Sequence, residues 1–184
     1  MTREEGKALL RIARSAIETH LGQKVPSLPE TLGPGVLEKR GVFVSLHQKG
    51  GELRGCIGRL EPNEPLARTV FEIAVAAAFR DPRFSPLRKE ELGEIGLEIS
   101  VLSPLKKNQK IDTVVIGREG LLIRKGEASG VLLPQVATEN RWSPEEFLRQ
   151  TCKKAGLPEG AWKEAETEIY TFTAEIFSEE AFRA

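Results

Sequence analysis

Four side chains in this 184-residue chain could serve as a soft metal ligand or a thiol–imidazole pair: Cys56, Cys152, His20 and His47. Structural zinc sites take four Cys or His ligands at short spacings. No two of these four form such a spaced pair, so neither a metal site nor a cofactor is expected. Cys56 sits in GELRGCIGRL, residues 51–60, with Arg54 two positions before it and Gly55 and Gly58 close by. In a strand, residues i and i+2 share a face, which places Arg54 about 7 Å from Cys56 on one side of the sheet. A cation at that range favours the thiolate, the form that acts as nucleophile. The glycines remove side chains beside the thiol and would let a backbone or a ligand approach. Packing accounts for the same pattern equally well: Gly55 could admit a neighbouring helix, and Cys56 could face a second layer.

RDPRF, residues 80–84, is a second candidate. Arg80 and Arg83 flank Asp81 in a loop after an alanine-rich segment. Arginine suits recognition of carboxylate or phosphate, and loops on a rigid scaffold often carry function. Alternatively, Asp81 ends a helix and Phe84 anchors the loop. Gln135 stands in an otherwise apolar stretch, LLPQV, where its amide could contact a substrate or satisfy buried backbone. Neither a phosphate-cradling GxxxxGK pattern nor a GxSxG elbow is present.

These residues must be positioned by regular elements. Thr2 and Glu5 make a capping-box pattern ahead of Leu9, Ile12, Ala13, Ala16 and Ile17, which predicts a helix over about 3–20. QKVPSLPETLGPG is a connecting loop. GVFVSLHQKGGELRGCIG predicts a hairpin turning near Lys49 and Gly50. A register that sets Leu46 against Leu53, Val44 against Gly55 and Val42 against Ile57 gives one apolar face. It pairs Phe43 with Cys56, Ser45 with Arg54 and His47 with Glu52 on the other. Cys56 would then lie roughly 13 Å from His47 along the strands, too far for hydrogen bonding. A helix follows, capped by Asn63 and stopped at Asp81-Pro82; a helical turn at 87–92 and the strand LEISVLS come next. The plan then recurs: a hairpin in GLLIRKGEASGVLLPQV, a helix in WSPEEFLRQTCKKAGLP and the strand EIYTFTAEIF. In that helix Ser143 caps, Glu146 completes a capping box, Gly156 terminates, and Cys152 shares the core face of Phe147, Leu148, Thr151 and Ala155. The fold class is therefore α+β: antiparallel sheet with flanking helices and an internal duplication of a hairpin–helix–strand unit.

At this length a single domain over 1–184 is expected, with two lobes of about 1–104 and 105–184. Lys plus Arg and Asp plus Glu are 27 each, so no global basic field draws nucleic acid or anionic lipid. The N-terminus mixes charged and apolar residues, unlike a signal peptide, and the longest apolar run is far short of a membrane span. A cytoplasmic protein is expected, with no membrane association.

Five segments in order, LRGCIG at 53–58, DPRF at 81–84, LEISVLS at 97–103, LLPQVATENRW at 132–142 and FLRQTCKKAGL at 147–157, resemble the AMMECR-domain family. Its prokaryotic members are called AmmeMemoRadiSam system protein A. Glu119 departs from the pattern, which associates that position with a histidine. The resemblance implies an α+β fold and supplies no reaction. Its system name implies Memo-like and radical-SAM partners, and a role in transcription or translation has also been attached to the family. Three functions follow as expectations. One is modification of a small molecule or macromolecule beside a radical-SAM/Memo-like system, with Cys56 and Arg54 as the reacting pair and Gly55, Gly58, Asp81, Arg83 and Gln135 in binding. The second is a non-enzymatic protein-binding adaptor. The third is a nucleic-acid-associated factor using a local cluster of Arg54, Arg59, Arg80, Arg83 and Arg88.

Overall fold

A computed structural model describes residues 1–23, 33–108 and 113–182. Most of the proline-rich connection expected after the first helix, at 24–32, lies outside them. The chain divides into two compact units, Met1–Leu102 with Glu175–Ala184, and Ser103–Ala174.

The first unit opens with α1, Arg3–His20. The capping box forms as expected: Glu5 N donates to Thr2 Oγ1 at 3.2 Å and Thr2 N to the Glu5 carboxylate at 2.8 Å. The same carboxylate takes Gly35 N at 2.8 Å, and these backbone donors, Thr2 first, hold its pKa below the usual value. Leu9, Ile12, Ala13, Ala16 and Ile17 are buried along one face. Leu9, Ile12 and Ile17 each contribute about 1.5–3 kcal/mol by leaving water, and the two alanine methyls less.

Strands β1, Val42–Gln48, and β2, Leu53–Arg59, form the hairpin, and β3, Ile95–Leu102, pairs with β1 on its other side, all antiparallel. The order β2-β1-β3 leaves β2 at the edge. The register differs from the expected one by two residues: Val44 opposes Ile57, Ser45 opposes Cys56 and Leu46 opposes Gly55. Over Val42–Leu46 this even shift keeps each side chain on its expected face but changes its partner. The cause lies in the turn. Gly51 adopts φ +86°, Gln48 N donates to Glu52 O, and a bulge between Leu46 and His47 sets His47 against Leu53 rather than Glu52.

Helix α2, Leu66–Phe79, packs on β1 and β2. It starts three residues after Asn63, whose side chain gives no cap; Pro65 occupies the cap position. Glu64 precedes that proline and is kept out of helical angles, so the helix cannot begin earlier. The expected stop holds, with Arg80 as the C-cap. Ideal Cβ placement at Gly55 falls 2.2 Å from Ala77 O, so α2 reaches its depth because β2 lacks a side chain there. After β3 the chain leaves this unit and returns at Glu175. Glu179 N donates to Leu97 O at 2.9 Å, and its carboxylate takes Leu97 N and Arg14.

The second unit repeats the plan. Strand β4, Lys106–Lys107, pairs with β7, Glu168–Ser178. Strands β5, Glu119–Lys125, and β6, Ala128–Leu132, form a hairpin turning at Gly126, whose φ is +57°, and β7 pairs with β5. The order β6-β5-β7 reproduces β2-β1-β3. Helix α3, Pro134–Glu139, is an element that the sequence patterns did not reveal, and α4, Pro144–Lys154, is the expected amphipathic helix. Ser143 caps α4 by accepting Glu146 N at 3.2 Å. The reciprocal half of the expected capping box gives way, because the Glu146 carboxylate accepts Gln150 Nε2 at 2.7 Å instead. Phe147, Leu148 and Cys152 are fully buried beneath α4, as expected for that face. Gly130 on β6 gives way to the Ala155 backbone, as Gly55 does to Ala77. The fold is thus α+β with antiparallel sheet and, among the described residues, four α-helices.

Candidate functional site

Cys56 lies at the edge of the first unit, half-buried. Its position follows from the antiparallel ladder. Residues facing each other across such a pair alternate between exchanging both backbone hydrogen bonds and exchanging none. Cys56 N donates outward to Asp81 Oδ2 at 2.8 Å, away from β1. The Ser45–Cys56 pair is therefore of the non-bonded kind, in which side chains stand closest. Accordingly, Ser45 Oγ donates to Cys56 Sγ at 3.2 Å. Ser45 itself is buried.

The DPRF loop clamps this point of the edge. Arg83 Nη2 donates to Cys56 O at 3.2 Å while Asp81 takes Cys56 N–H, so one side-chain pair occupies both backbone groups. Asp81 and Arg83 thereby replace the neighbouring strand that β2 lacks. They also bind each other: Arg83 Nη2 and Nε reach the two carboxylate oxygens at 2.7 and 3.0 Å, and Arg83 N donates to Oδ1 at 3.1 Å. The Asp81 side chain is buried (2% exposed), whereas that of Arg83 is 49% exposed. The guanidinium hydrogen bonds first, then the two backbone donors, hold the Asp81 carboxyl far below the usual carboxylate range despite burial. In return, Asp81 raises the pKa of Arg83. Leu87 N donates to Ala78 O and Leu87 is buried, which moors the loop to the end of α2.

Arg54 shares the Cys56 face, as expected, but its guanidinium is engaged elsewhere. Nε and Nη2 donate to the two Glu91 carboxylate oxygens at 2.9 and 3.2 Å. Glu91 also takes Arg88 N, and these donors, Arg54 first, lower its pKa. Phe84 lies between the two cations, its centroid 6.0 Å from Arg54 Cζ and 5.4 Å from Arg83 Cζ. Arg54 Nη1 is buried with no hydrogen-bond partner among the described residues.

Both glycines give way to neighbouring groups, Gly55 on the face toward α2 and Gly58 on the Cys56 face. Gly55 is filled from α2, and an ideal Cβ at Gly58 would lie 2.2 Å from the Phe43 ring. Gln135 stands on α3 in the second unit, its buried Oε1 without a partner among the described residues. His47 lies two residues along β1 from the partner of Cys56, so the corrected register halves their expected separation to roughly 7 Å. Its Nδ1 stands 3.3 Å from Gly51 O. Cys152 is fully buried, and burial pushes its thiol pKa up. Glu119 closes a local turn by accepting Val115 N at 3.0 Å. Of the five arginines considered for nucleic acid, Arg54, Arg59, Arg83 and Arg88 each form an ion pair with a carboxylate. Among the described residues, no helix is long and apolar enough to cross a membrane, and no group of three His, Cys, Asp or Glu side chains could hold a metal.

Ser45, Phe84 and Glu91 belong to the site; the sequence pointed to Phe84 only as a loop anchor and to neither Ser45 nor Glu91 as a site residue. Ser45 becomes visible only in the correct register. Glu91 sits in a segment recognisable as a helical turn, but nothing in its spacing ties it to Arg54.

Comparison with known proteins places these segments together. The AMMECR1 family model matches residues 10–177. A protein of Methanothermobacter thermautotrophicus is 48% identical over 98% of this chain and 97% of its own, and one of Methanopyrus kandleri is 46% identical over 98% and 91%. The crystal structure of an uncharacterized protein from Pyrococcus horikoshii superposes with a TM-score of 0.91 at 42% identity, covering 98% of this chain and 94% of that one. The chain belongs to the AMMECR1 family.

Proposed function

We propose that Cys56 works as a thiolate nucleophile or covalent carrier on a group borne by a small molecule or macromolecule. The carrying observation is the arrangement around one residue: a hydroxyl donates to its sulfur while Asp81 and Arg83 fix its backbone on both sides. Donation to sulfur and a neighbouring cation both favour the thiolate over the thiol. Arg83 is the cation that touches Cys56, at its carbonyl, but Asp81 pairs with it as Glu91 pairs with Arg54, so the Ser45 hydroxyl is the main support for the thiolate. In the simplest step Sγ bonds to an electrophilic carbon as the bond to its leaving group breaks. The leaving group departs with the electron pair, and no oxidant or reductant is needed. The resemblance of the five segments to the AmmeMemoRadiSam proteins supplies the partners: a Memo-like and a radical-SAM protein.

Alkylation of Cys56 by iodoacetamide, followed by peptide mass spectrometry against pH, tests the thiolate. Its apparent pKa is expected below the ordinary value of about 8.5. Ser45→Ala is expected to raise it by about one to two units, the worth of one hydrogen bond to a charged group. An ordinary titration in the wild type, unmoved by Ser45→Ala, sinks the proposal. Co-purification with Memo-like and radical-SAM proteins from the native host tests the partners; their absence at low salt removes that part alone.

A further inference from the structure

A groove of about 550 Å³ opens in the first unit between the β1–β2 turn, the start of β3 and the turn after β7. It falls in the size range of small-ligand sites. Among its lining residues are His47, Glu98, Glu180, Gly50, Gly93 and Gly96. An ideal Cβ at any of these three glycines would meet nothing within 4 Å, so bare backbone forms much of the surface.

Gln48 and Lys49 also line it and carry donors; the acceptors among its side chains include His47, Glu98, Glu179 and Glu180. His47 Nδ1 contacts the Gly51 carbonyl, which can only accept, so Nδ1 carries the hydrogen. In the neutral ring this leaves the lone pair on Nε2. Nε2 is buried and has no partner among the described residues. His47 is only partly covered and lines the groove, and a donor that reached Nε2 would supply the unmade hydrogen bond. Glu180 is exposed and forms no ion pair among the described residues. The charges that would oppose a cation are already met: Glu94 holds Lys49 at 2.9 Å. Arg14 likewise satisfies Glu179.

We propose that this groove binds an alkylammonium group, with its hydrocarbon chain over the glycine backbone and its N–H donors directed to His47 Nε2 and the Glu180 carboxylate. The group could belong to a free polyamine or to a lysine side chain of a polypeptide. The proposal does not depend on Cys56.

Calorimetric titration at pH 8, with the full chain, uses spermidine in one arm and Nα-acetyl-lysinamide in the other. At least one is expected to bind with a dissociation constant on the order of 0.1–1 mM. Spermidine alone identifies a free polyamine, and lysinamide alone a polypeptide-borne lysine. Gly96→Val fills open space and suits a strand, so the fold tolerates it while the groove narrows. It is expected to weaken binding at least about tenfold, and His47→Phe about tenfold through the lost acceptor. Glu180→Gln is expected to cost about two- to fivefold, as for an exposed ion pair. No heat with either amine at about 10 mM overturns the proposal. So does binding that Gly96→Val and His47→Phe both leave unchanged.

Discussion

Asp81→Asn tests the edge clamp directly, because it keeps shape and removes charge. The carboxylate accepts four hydrogen bonds: from Cys56 N, Arg83 N, Arg83 Nε and Arg83 Nη2. An amide keeps one acceptor oxygen and turns an NH₂ donor toward the guanidinium in either orientation, facing Cys56 N–H as well in one and Arg83 N–H in the other. Breaking a fully buried pair costs about 3–5 kcal/mol. Here only the Asp81 partner is buried, and water can solvate Arg83, so about 2–3 kcal/mol is the expected loss. Tryptophan fluorescence would miss it. Both tryptophans, Trp142 and Trp162, and the one tyrosine, Tyr170, lie in the second unit. The appropriate assay is hydrogen exchange at the Cys56 amide, which the carboxylate protects. A loss of 2–3 kcal/mol predicts exchange faster by about 30- to 150-fold. Unchanged exchange would refute the clamp.

Acid supplies an independent check of the same group. The folded pKa of Asp81 lies below its unfolded value of about 3.9. Its contribution is therefore complete above that value and is lost as pH falls toward the folded pKa. Protection of Cys56 in the wild type is expected to decline below about pH 4. Asp81→Asn should lack that part of the decline, and the difference between the two profiles isolates Asp81 from Glu5 and Glu91, which titrate in both. Coincident profiles after normalisation would contradict the assignment.

Gly55→Ala would drive a methyl group into Ala77 O, and overpacking of this kind costs about 1–3 kcal/mol; amide exchange along β2 reads it. Gly130→Ala meets the Ala155 backbone in the same way, and tryptophan fluorescence during urea unfolding reports it in the second unit. Glu91→Gln leaves the Arg54 guanidinium buried beside a neutral partner and is expected to cost about 2–4 kcal/mol, read by exchange at the Arg54 amide.

What the sequence revealed, and what it withheld, divides along physical lines. The faces of Val42–Leu46 and of the residues opposite them were legible, because alternation has period two and an even shift preserves it; beyond the bulge the shift is odd, and Leu53, expected on the apolar face, is exposed. The partners were not legible, because they depend on Gly51 and a bulge whose positions alternation does not encode. Asp81 and Arg83 stood out as a charged pair after a helix, yet their bonding to the Cys56 backbone joins residues 25 and 27 positions apart. Arg54 was found for the right face and given a role beside the thiol; Glu91, 37 positions on, takes its charge. Only tertiary contact identifies such a partner. The repeated hairpin–helix–strand order was visible despite negligible identity between the halves, since it rests on periodicity and caps rather than on particular side chains.

That repeat provides an internal comparison for the site. Gly55 and Gly130 each accept a helix backbone, so they mark equivalent places in the two hairpins. Counting from them, the Ser45–Cys56 pair corresponds to Leu122–Val131. The same scaffold thus holds an aliphatic pair at this place, and a hydroxyl and a thiol are not required to build it. Replacing both members of a hydrogen-bonded pair by apolar groups of similar shape is nearly neutral, because no donor is left stranded. Ser45→Ala with Cys56→Val is therefore expected to change the stability of the first unit by less than about 1 kcal/mol, measured by exchange along β1 and β2. If the double variant instead loses several kcal/mol, Ser45 and Cys56 are there for the fold, and the reactive thiol loses its main support. If it folds as the wild type does, two polar side chains held against a clamped strand edge have no structural duty that an aliphatic pair fails to perform. That outcome would support the proposal that they serve the chemistry of Cys56.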